Sequence, residues 1–239
     1  MNLSPPSLRQ RLVDRASQRY RHAGRFAYHF ARGKLGGDPM FLEILQRGLI
    51  ADGARVLDLG CGQGLLAAWL FAARQKFDAG EWVAGWPAPG RPADIHGIDL
   101  LASDIQRAQA GLGNAARFRQ GDMRYVDFGQ ADAVVIMDVL HYVDFPAQDD
   151  VLRRVRDALP PGGVLITRVG DADAGLRFQL SNWVDRTVAF FRGGRLPPTH
   201  GRPLHAWIAA LEAHGFKVET ASMNGKLPFA NVMLMARLG

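Results

Sequence analysis

Residues 56–64 read Val-Leu-Asp-Leu-Gly-Cys-Gly-Gln-Gly. An apolar run suited to a strand enters a turn holding Gly60, Gly62 and Gly64. An apolar helical stripe, Leu65, Leu66, Trp69, Leu70 and Ala73, leaves it. Glycine takes φ > 0 readily and lets another molecule approach the backbone. Strand, glycine turn and helix in that order form the nucleotide-binding corner of a doubly wound α/β sheet. The spacing G-x-G-x-G departs from the dinucleotide pattern G-x-G-x-x-G. Asp58 sets the sign of the ligand: a carboxylate in the turn repels a pyrophosphate and suits an ammonium or a sulfonium.

Working outward, apolar residues recur at three- and four-residue steps from Leu8 through Leu12, Ala16, Tyr20, Ala23 and Ala27 to Phe30. This spacing predicts a helix over 9–30. A second helix is predicted over 40–48, followed by the first strand, Arg55–Leu59. Residues 76–93, rich in Gly, Pro and Trp, read as an insertion. A second strand is expected at 96–100, with Ser103 or Asp104 capping the next helix, and a third at 117–120. The fully apolar, partly β-branched run 133–137 has the character of a central parallel strand. A helix ends at Pro160-Pro161-Gly162-Gly163, which turns the chain into a strand at 164–169. Residues 171–214 read as two helices around a Gly/Pro break, and 216–219 and 231–236 as the last strands.

Alternating strands and helices imply a parallel sheet with right-handed crossovers. The closing pair is too tightly connected for a parallel crossover, so the last strand is expected to insert antiparallel. The resulting fold class is α/β: a doubly wound, seven-stranded, mainly parallel sheet with a helical cap. The organisation is a basic helical arm over 1–48 and a main domain over 49–239, with the cap at 171–214.

The 239 residues are 48% hydrophobic, enough for a sizeable core. Cys61 is the sole cysteine, so no intrachain disulfide forms, and a cytoplasmic setting is expected. The start of the chain lacks the apolar core of a secretory leader. The longest apolar stretch, 65–73, is too short to cross a bilayer. Residues 1–37 hold eight Lys/Arg and one acidic residue, Asp14, a sum of +7 against +6 for the whole chain. The basicity therefore lies in the arm. It reads either as a solvated helical face or as a contact for an acidic partner: RNA, a membrane surface or an acidic carrier protein.

The D-x-G-x-G-x-G turn resembles the first motif of class I S-adenosylmethionine (SAM)-dependent methyltransferases, and the resemblance extends over about 50–170. It implies a Rossmann-like methyltransferase fold and SAM as cofactor, with S-adenosylhomocysteine as product. Residue by residue, it implies that Asp58, Gly60, Cys61 and Gly62 form the cofactor turn. Asp99, ending His-Gly-Ile-Asp-Leu, would bind the ribose hydroxyls, with Leu100 beside it. Asp122 would meet the adenine amino group, and Met123 would pack on the ring. A fourth motif runs from Ala131 to Asp138 and continues through Val139-Leu140-His141-Tyr142-Val143. It puts Asp138 and His141 near the transferred methyl. His141 is the first candidate base, since its ordinary pKa lies near 6.5; Tyr28 and His29 are the second. In similar proteins, arm residues such as Arg25, Tyr28, His29, Arg32 and Lys34 close over SAM and bind its carboxylate. Cys61 reads as a small buried residue rather than as a nucleophile, and no Cys/His pattern predicts a metal.

Three further stretches look like the methyltransferases that accompany bacterial aryl-polyene or xanthomonadin-type pigment synthesis. They are Tyr28-His29-Phe30-Ala31-Arg32-Gly33-Lys34-Leu35, the turn 160–163, and Arg168-Val169-Gly170-Asp171-Ala172. This likeness implies methylation of an aromatic hydroxyl on a small molecule or on an acyl chain held by a carrier protein. Two alternatives stay open: an RNA methyltransferase using the basic arm, although no nucleic-acid partner is expected, and a SAM-binding module without catalysis. In the cap, Phe178, Trp183, Phe190, Phe191, Arg186 and His200 are candidates for lining an apolar substrate site.

Overall fold

The computed structural model describes residues 7–170, 198–223 and 231–239. Seven strands form one sheet in the order β3-β2-β1-β4-β5-β7-β6. In chain order these are β1 (Arg55–Leu59), β2 (Asp94–Asp99), β3 (Arg117–Gln120), β4 (Ala133–Met137), β5 (Val164–Gly170), β6 (Phe216–Ser222) and β7 (Asn231–Leu238). The described helices are α1 (Leu8–Gln18), α2 (Arg25–Gly37), α3 (Pro39–Gln46), α4 (Leu65–Asp78), α5 (Ala102–Leu112), α6 (Phe145–Ala158) and α7 (Leu204–Ala213). The chain divides into two compact units, Met1–Met123 and Arg124–Gly239. The cap aromatics expected at 178–191 fall outside the described residues.

In the first unit β1, β2 and β3 run parallel. Helix α4, entered from the left-handed Gly64, is buried along most of its length from Leu65 to Ala73. Each fully buried side chain such as Leu66 or Leu70 adds roughly 1.5–3 kcal/mol. Trp69 is wholly buried, donates its indole N–H to Phe41 O at 2.7 Å and meets the Phe41 ring edge-on. The insertion 76–93 is tied to the entry of β1: Gly53 N donates to Arg91 O at 2.9 Å and Ala93 N to Ala54 O at 3.0 Å.

The arm differs from the single helix expected over 9–30. It forms α1 and α2, with the chain reversing at 19–24 through turn bonds from Tyr20 N to Ser17 O and Ala23 N to Tyr20 O. Gly24, at φ 107°, permits the break. The apolar period runs through the break because both helices bury the same kind of stripe, Leu12 and Ala16 in α1 and Ala27, Ala31 and Leu35 in α2, with Tyr20 buried in the reversal between them. The cap of α5 also differs. Asp104 lies inside the helix, 1% exposed and paired with Arg107 at 2.8 Å, and Leu101 takes the cap position.

In the second unit β4 and β5 are parallel. β7 inserts antiparallel between β5 and β6, as the short closing connection requires. Val134, Val135, Ile136, Leu165, Ile166 and Leu234 are fully buried at its centre. Gly162, at φ 79°, lets the 160–163 turn reverse tightly after α6.

Gly97 in β2 faces a crowded pocket. A Cβ there would lie 2.7 Å from Phe118 Cδ1 and 2.8 Å from Cys61 Sγ. Overpacking of this kind costs about 1–3 kcal/mol. Gly97→Ala is therefore expected to lower the melting temperature, and adding Cys61→Ala should restore part of the loss because the two sites share one contact. Thermal unfolding of the single and double variants checks this; additive losses would show that Cys61 does not feel the new methyl.

Candidate cofactor and catalytic sites

All the cofactor residues expected from the sequence except Asp138 lie at the carboxyl ends of β1, β2 and β3, within the first unit. Gly60, Gly62 and Gly64 have φ of 76°, 55° and 77°. The turn needs glycine because three left-handed residues within five positions are strongly disfavoured for L side chains. Gly60 N and Cys61 N both donate to Ile98 O, at 2.8 and 3.1 Å, which hangs the turn from the end of β2. Gly64 fits closely: a Cβ there would lie 2.7 Å from Phe118 Cζ and 2.8 Å from Leu112 Cδ1. Cys61 is buried beneath the turn.

Asp99 is the organiser of this corner. Its Oδ2 accepts from Gly62 N at 2.8 Å and its Oδ1 from Leu101 N at 2.9 Å. Its backbone carbonyl accepts Gly121 N at 2.9 Å, fixing the start of the segment that carries Asp122 and Met123. Each carboxylate oxygen has two acceptor positions, so the backbone bonds leave acceptor capacity on both. Beside it, Leu100 is 61% exposed, an open apolar side chain next to a 9%-exposed carboxylate. Asp122 and Met123 are half-buried.

Asp58 is 3% exposed, and burial followed by the nearby charge of Asp99 pushes its carboxyl up to about 7. No Lys, Arg or His pairs with it among the described residues. Two buried carboxylates on adjacent strand ends without a cation between them form a site short of positive charge. The arrangement fits a cationic nucleoside: a carboxylate to accept hydrogen bonds from hydroxyls, an apolar ledge for a ring, and a second carboxylate for a positive charge.

The arm candidates are also in the first unit. The Tyr28 and His29 rings meet edge-on at 5.1 Å, and the guanidinium carbons of Arg21 and Arg32 lie 5.4 and 5.7 Å from the Tyr28 centroid. The arm's cations are partly used internally. Arg32 pairs with Asp14, Lys34 with Asp38 and Arg11 with Glu81. Arg15 donates to Gln75, and Arg19 lies over the Phe71 ring.

Asp138 and His141 belong to the second unit. Asp138 is the one described non-glycine residue with positive φ, 59°. Both its carboxylate oxygens take hydrogen bonds from Arg168, one at 2.6 Å, and Arg168 is 6% exposed in β5. A buried arginine in an apolar strand requires a carboxylate, so Arg168 inside the apolar run 164–169 is the one sequence signal for this pair. The expected role of Asp138 at the cofactor thus meets a competing partner for its carboxylate.

His141 lies in the short turn after β4. Burial holds its imidazole below the ordinary histidine value, and Asp138 offsets part of that shift. Its Nε2 is sealed from solvent and has no hydrogen-bond partner among the described residues. The turn is clamped by the wholly buried Gln148, whose Nε2 donates to Leu140 O, Val143 O and His200 O at 3.2, 3.0 and 2.8 Å. His200 N donates to His141 O at 2.8 Å. Gln148 and Arg202, which donates to Gln148 Oε1 at 2.8 Å, carried no sequence signal.

Residues 29–221 match a family model described as a methyltransferase domain. The chain is 32% identical over 139 residues to the carboxy-S-adenosyl-L-methionine synthase of Chromohalobacter salexigens, covering 54% of this chain and 46% of that one. It is 29% identical over 128 residues to the ubiquinone biosynthesis O-methyltransferase of Xanthomonas oryzae pv. oryzae, covering 54% and 48%. The chain thus spans about half the length of these curated relatives. An O-methyltransferase family protein from Burkholderia thailandensis shares the fold, with a TM-score of 0.61 at 19% identity over 92% of this chain and 62% of that one.

Proposed function

We propose, for a chain that belongs to the class I SAM-dependent methyltransferase family, that it transfers the methyl of SAM to an oxygen of a small or carrier-protein-bound aromatic or acyl substrate. The observation that carries the cofactor reading is the pair Asp58 and Asp99, buried at neighbouring strand ends with no cation among the described residues to neutralise Asp58. Bound there, SAM supplies an electrophilic methyl on a sulfonium whose departure leaves a neutral thioether. No acid is then needed at the leaving group. The protein's tasks are to hold the cofactor, to orient the acceptor and to take its proton.

Asp99 would accept the two ribose hydroxyls on the acceptor capacity left by Gly62 and Leu101. Leu100 and Met123 would cover the adenine faces, with Asp122 at its amino group. Asp58 would offset the positive charge of the amino-acid end. Arg25, at the start of α2 and exposed, is the arm's candidate for the cofactor carboxylate. Oxygen as the acceptor atom, and a phenolic or carrier-bound acceptor, rest on the sequence resemblance.

His141 is the candidate base. Its lowered pKa keeps the imidazole neutral at pH 7 and able to accept a proton. His141→Asn is expected to lower kcat by about 10²–10⁴-fold, the usual worth of a general base, with cofactor affinity unchanged. The wild-type rate should fall on acidification through a pKa below 6.5, because only the neutral ring accepts a proton. An unchanged kcat in the variant moves the role to Tyr28 or His29.

The function itself is tested by incubating the protein with methyl-labelled SAM and phenolic acids, free and as carrier-protein thioesters. Label is expected on the phenolic oxygen. Binding of SAM without transfer to any acceptor would leave a non-catalytic module. Label on RNA, together with steeply salt-dependent RNA binding, would replace the small-molecule acceptor by a nucleic acid.

A further inference from the structure

Gln63 occupies the cofactor turn between two left-handed glycines and is 1% exposed. Its side chain leaves the turn and crosses to the arm, where Nε2 donates to Ala27 O at 2.8 Å in the first turn of α2. Its own backbone carbonyl accepts the Tyr20 hydroxyl at 2.9 Å. Tyr20 is fully buried where the arm reverses, and its ring fits because residue 111 is glycine: a Cβ there would sit 2.7 Å from Cδ1 and Cε1. The Oε1 of Gln63 is sealed from solvent with no hydrogen-bond partner among the described residues.

A buried amide with one end bonded and the other unsatisfied is a poor way to fill space, because the orphan acceptor carries its full desolvation cost. Met would occupy a similar volume without that cost. The link to Ala27 is what a glutamine supplies here. Ala27 immediately precedes Tyr28 and His29, so the same bond fixes the position at which both candidates leave the backbone.

We propose that Gln63 is a positioning residue that joins the cofactor turn to the arm, so that filling the turn also seats Tyr28 and His29. This rests on the reading that the turn binds SAM. The turn is then the middle of one hydrogen-bonded bridge, Tyr20–Gln63–Ala27, whose ends lie in the arm's reversal and in α2, and order imposed at 60–64 passes through Gln63 to 25–37.

Hydrogen–deuterium exchange on the full chain, with and without S-adenosylhomocysteine, tests it. In the wild type the ligand is expected to slow exchange at both 60–64 and 25–37. In Gln63→Met, protection at 60–64 should persist while ligand-linked protection at 25–37 is lost, with Kd for the ligand raised about three- to tenfold, the worth of one neutral hydrogen bond. Equal ligand-linked protection of 25–37 in Gln63→Met overturns the proposal. Should that variant fail to fold, Gln63→Leu removes the same N–H donor to Ala27 O with a differently shaped apolar side chain. A reduced response at 25–37 supports the proposal and an unchanged one overturns it. Absence of any protection at 60–64 in the wild type is a different failure: it removes the cofactor reading and this inference with it.

Discussion

Asp99→Ala should weaken binding of both SAM and S-adenosylhomocysteine by roughly 10²–10³-fold, the largest effect expected of any single substitution in the first unit. Each hydrogen bond to a charged group is worth about 1.5–3 kcal/mol, and two ribose hydroxyls are at stake. Two backbone bonds are lost as well, from Gly62 and Leu101. The glycine turn would then lose its anchor at the same time as the sugar loses its acceptor. Asp99→Asn separates these losses. Its amide keeps one acceptor oxygen but turns an N–H toward either Gly62 N or Leu101 N, a donor facing a donor. It should therefore bind more tightly than the alanine variant and far more weakly than the wild type. Calorimetry with either ligand measures this. Affinities within about threefold of wild type for Asp99→Ala, below the worth of even one charge-assisted bond, would mean that the ligand does not lie where we place it.

The second large effect is a pH dependence centred on Asp58. Its carboxyl titrates near 7 because burial disfavours the anion and Asp99 adds to that penalty. Tyr20, itself raised well above its ordinary range by burial, is the other titratable group whose ionisation is coupled to Asp58. A cationic ligand needs the anion. SAM affinity should thus rise with pH up to about 7 and level off above it, falling close to tenfold between pH 7.5 and 6. At pH 6 binding should release a proton, visible as a heat that depends on the buffer. The stability of the free protein runs the other way. A folded-state pKa above the unfolded one favours the protonated fold, so this contribution is complete below the unfolded value of 3.8 and is lost as pH rises through 7. Asp58→Asn should flatten both profiles and weaken binding at pH 8. A SAM affinity that is flat from pH 6 to 8 in the wild type would sink the assignment of Asp58 to the cofactor's charge.

Much of the frame was legible because it depends on neighbours in sequence. The turn at 60–64 follows from glycines that alone tolerate its backbone angles, and β4 follows from an unbroken apolar run. The antiparallel entry of β7 follows from a connection too short to cross the sheet. The break in the arm was not legible. An apolar repeat of three and four persists across 19–24, and the reversal there is set by where Tyr20 is buried. The expected cap of α5 failed for a related reason: Asp99 takes Leu101 N, and Asp104 turns inward to Arg107.

The sequence by itself determined the alternating α/β frame, the glycine turn after β1 and the two carboxylates, Asp58 and Asp99, on which the proposed cofactor site rests. Those are consequences of backbone sterics and of residue types only a few positions apart. Only the tertiary structure decided what holds the corner in place. Asp99 reaches Gly62 across 37 positions, Tyr20 reaches Gln63 across 43, and Arg168 claims Asp138 across 30. Such bonds form because a buried polar group must find whatever partner the packing brings near, and no local pattern names that partner in advance.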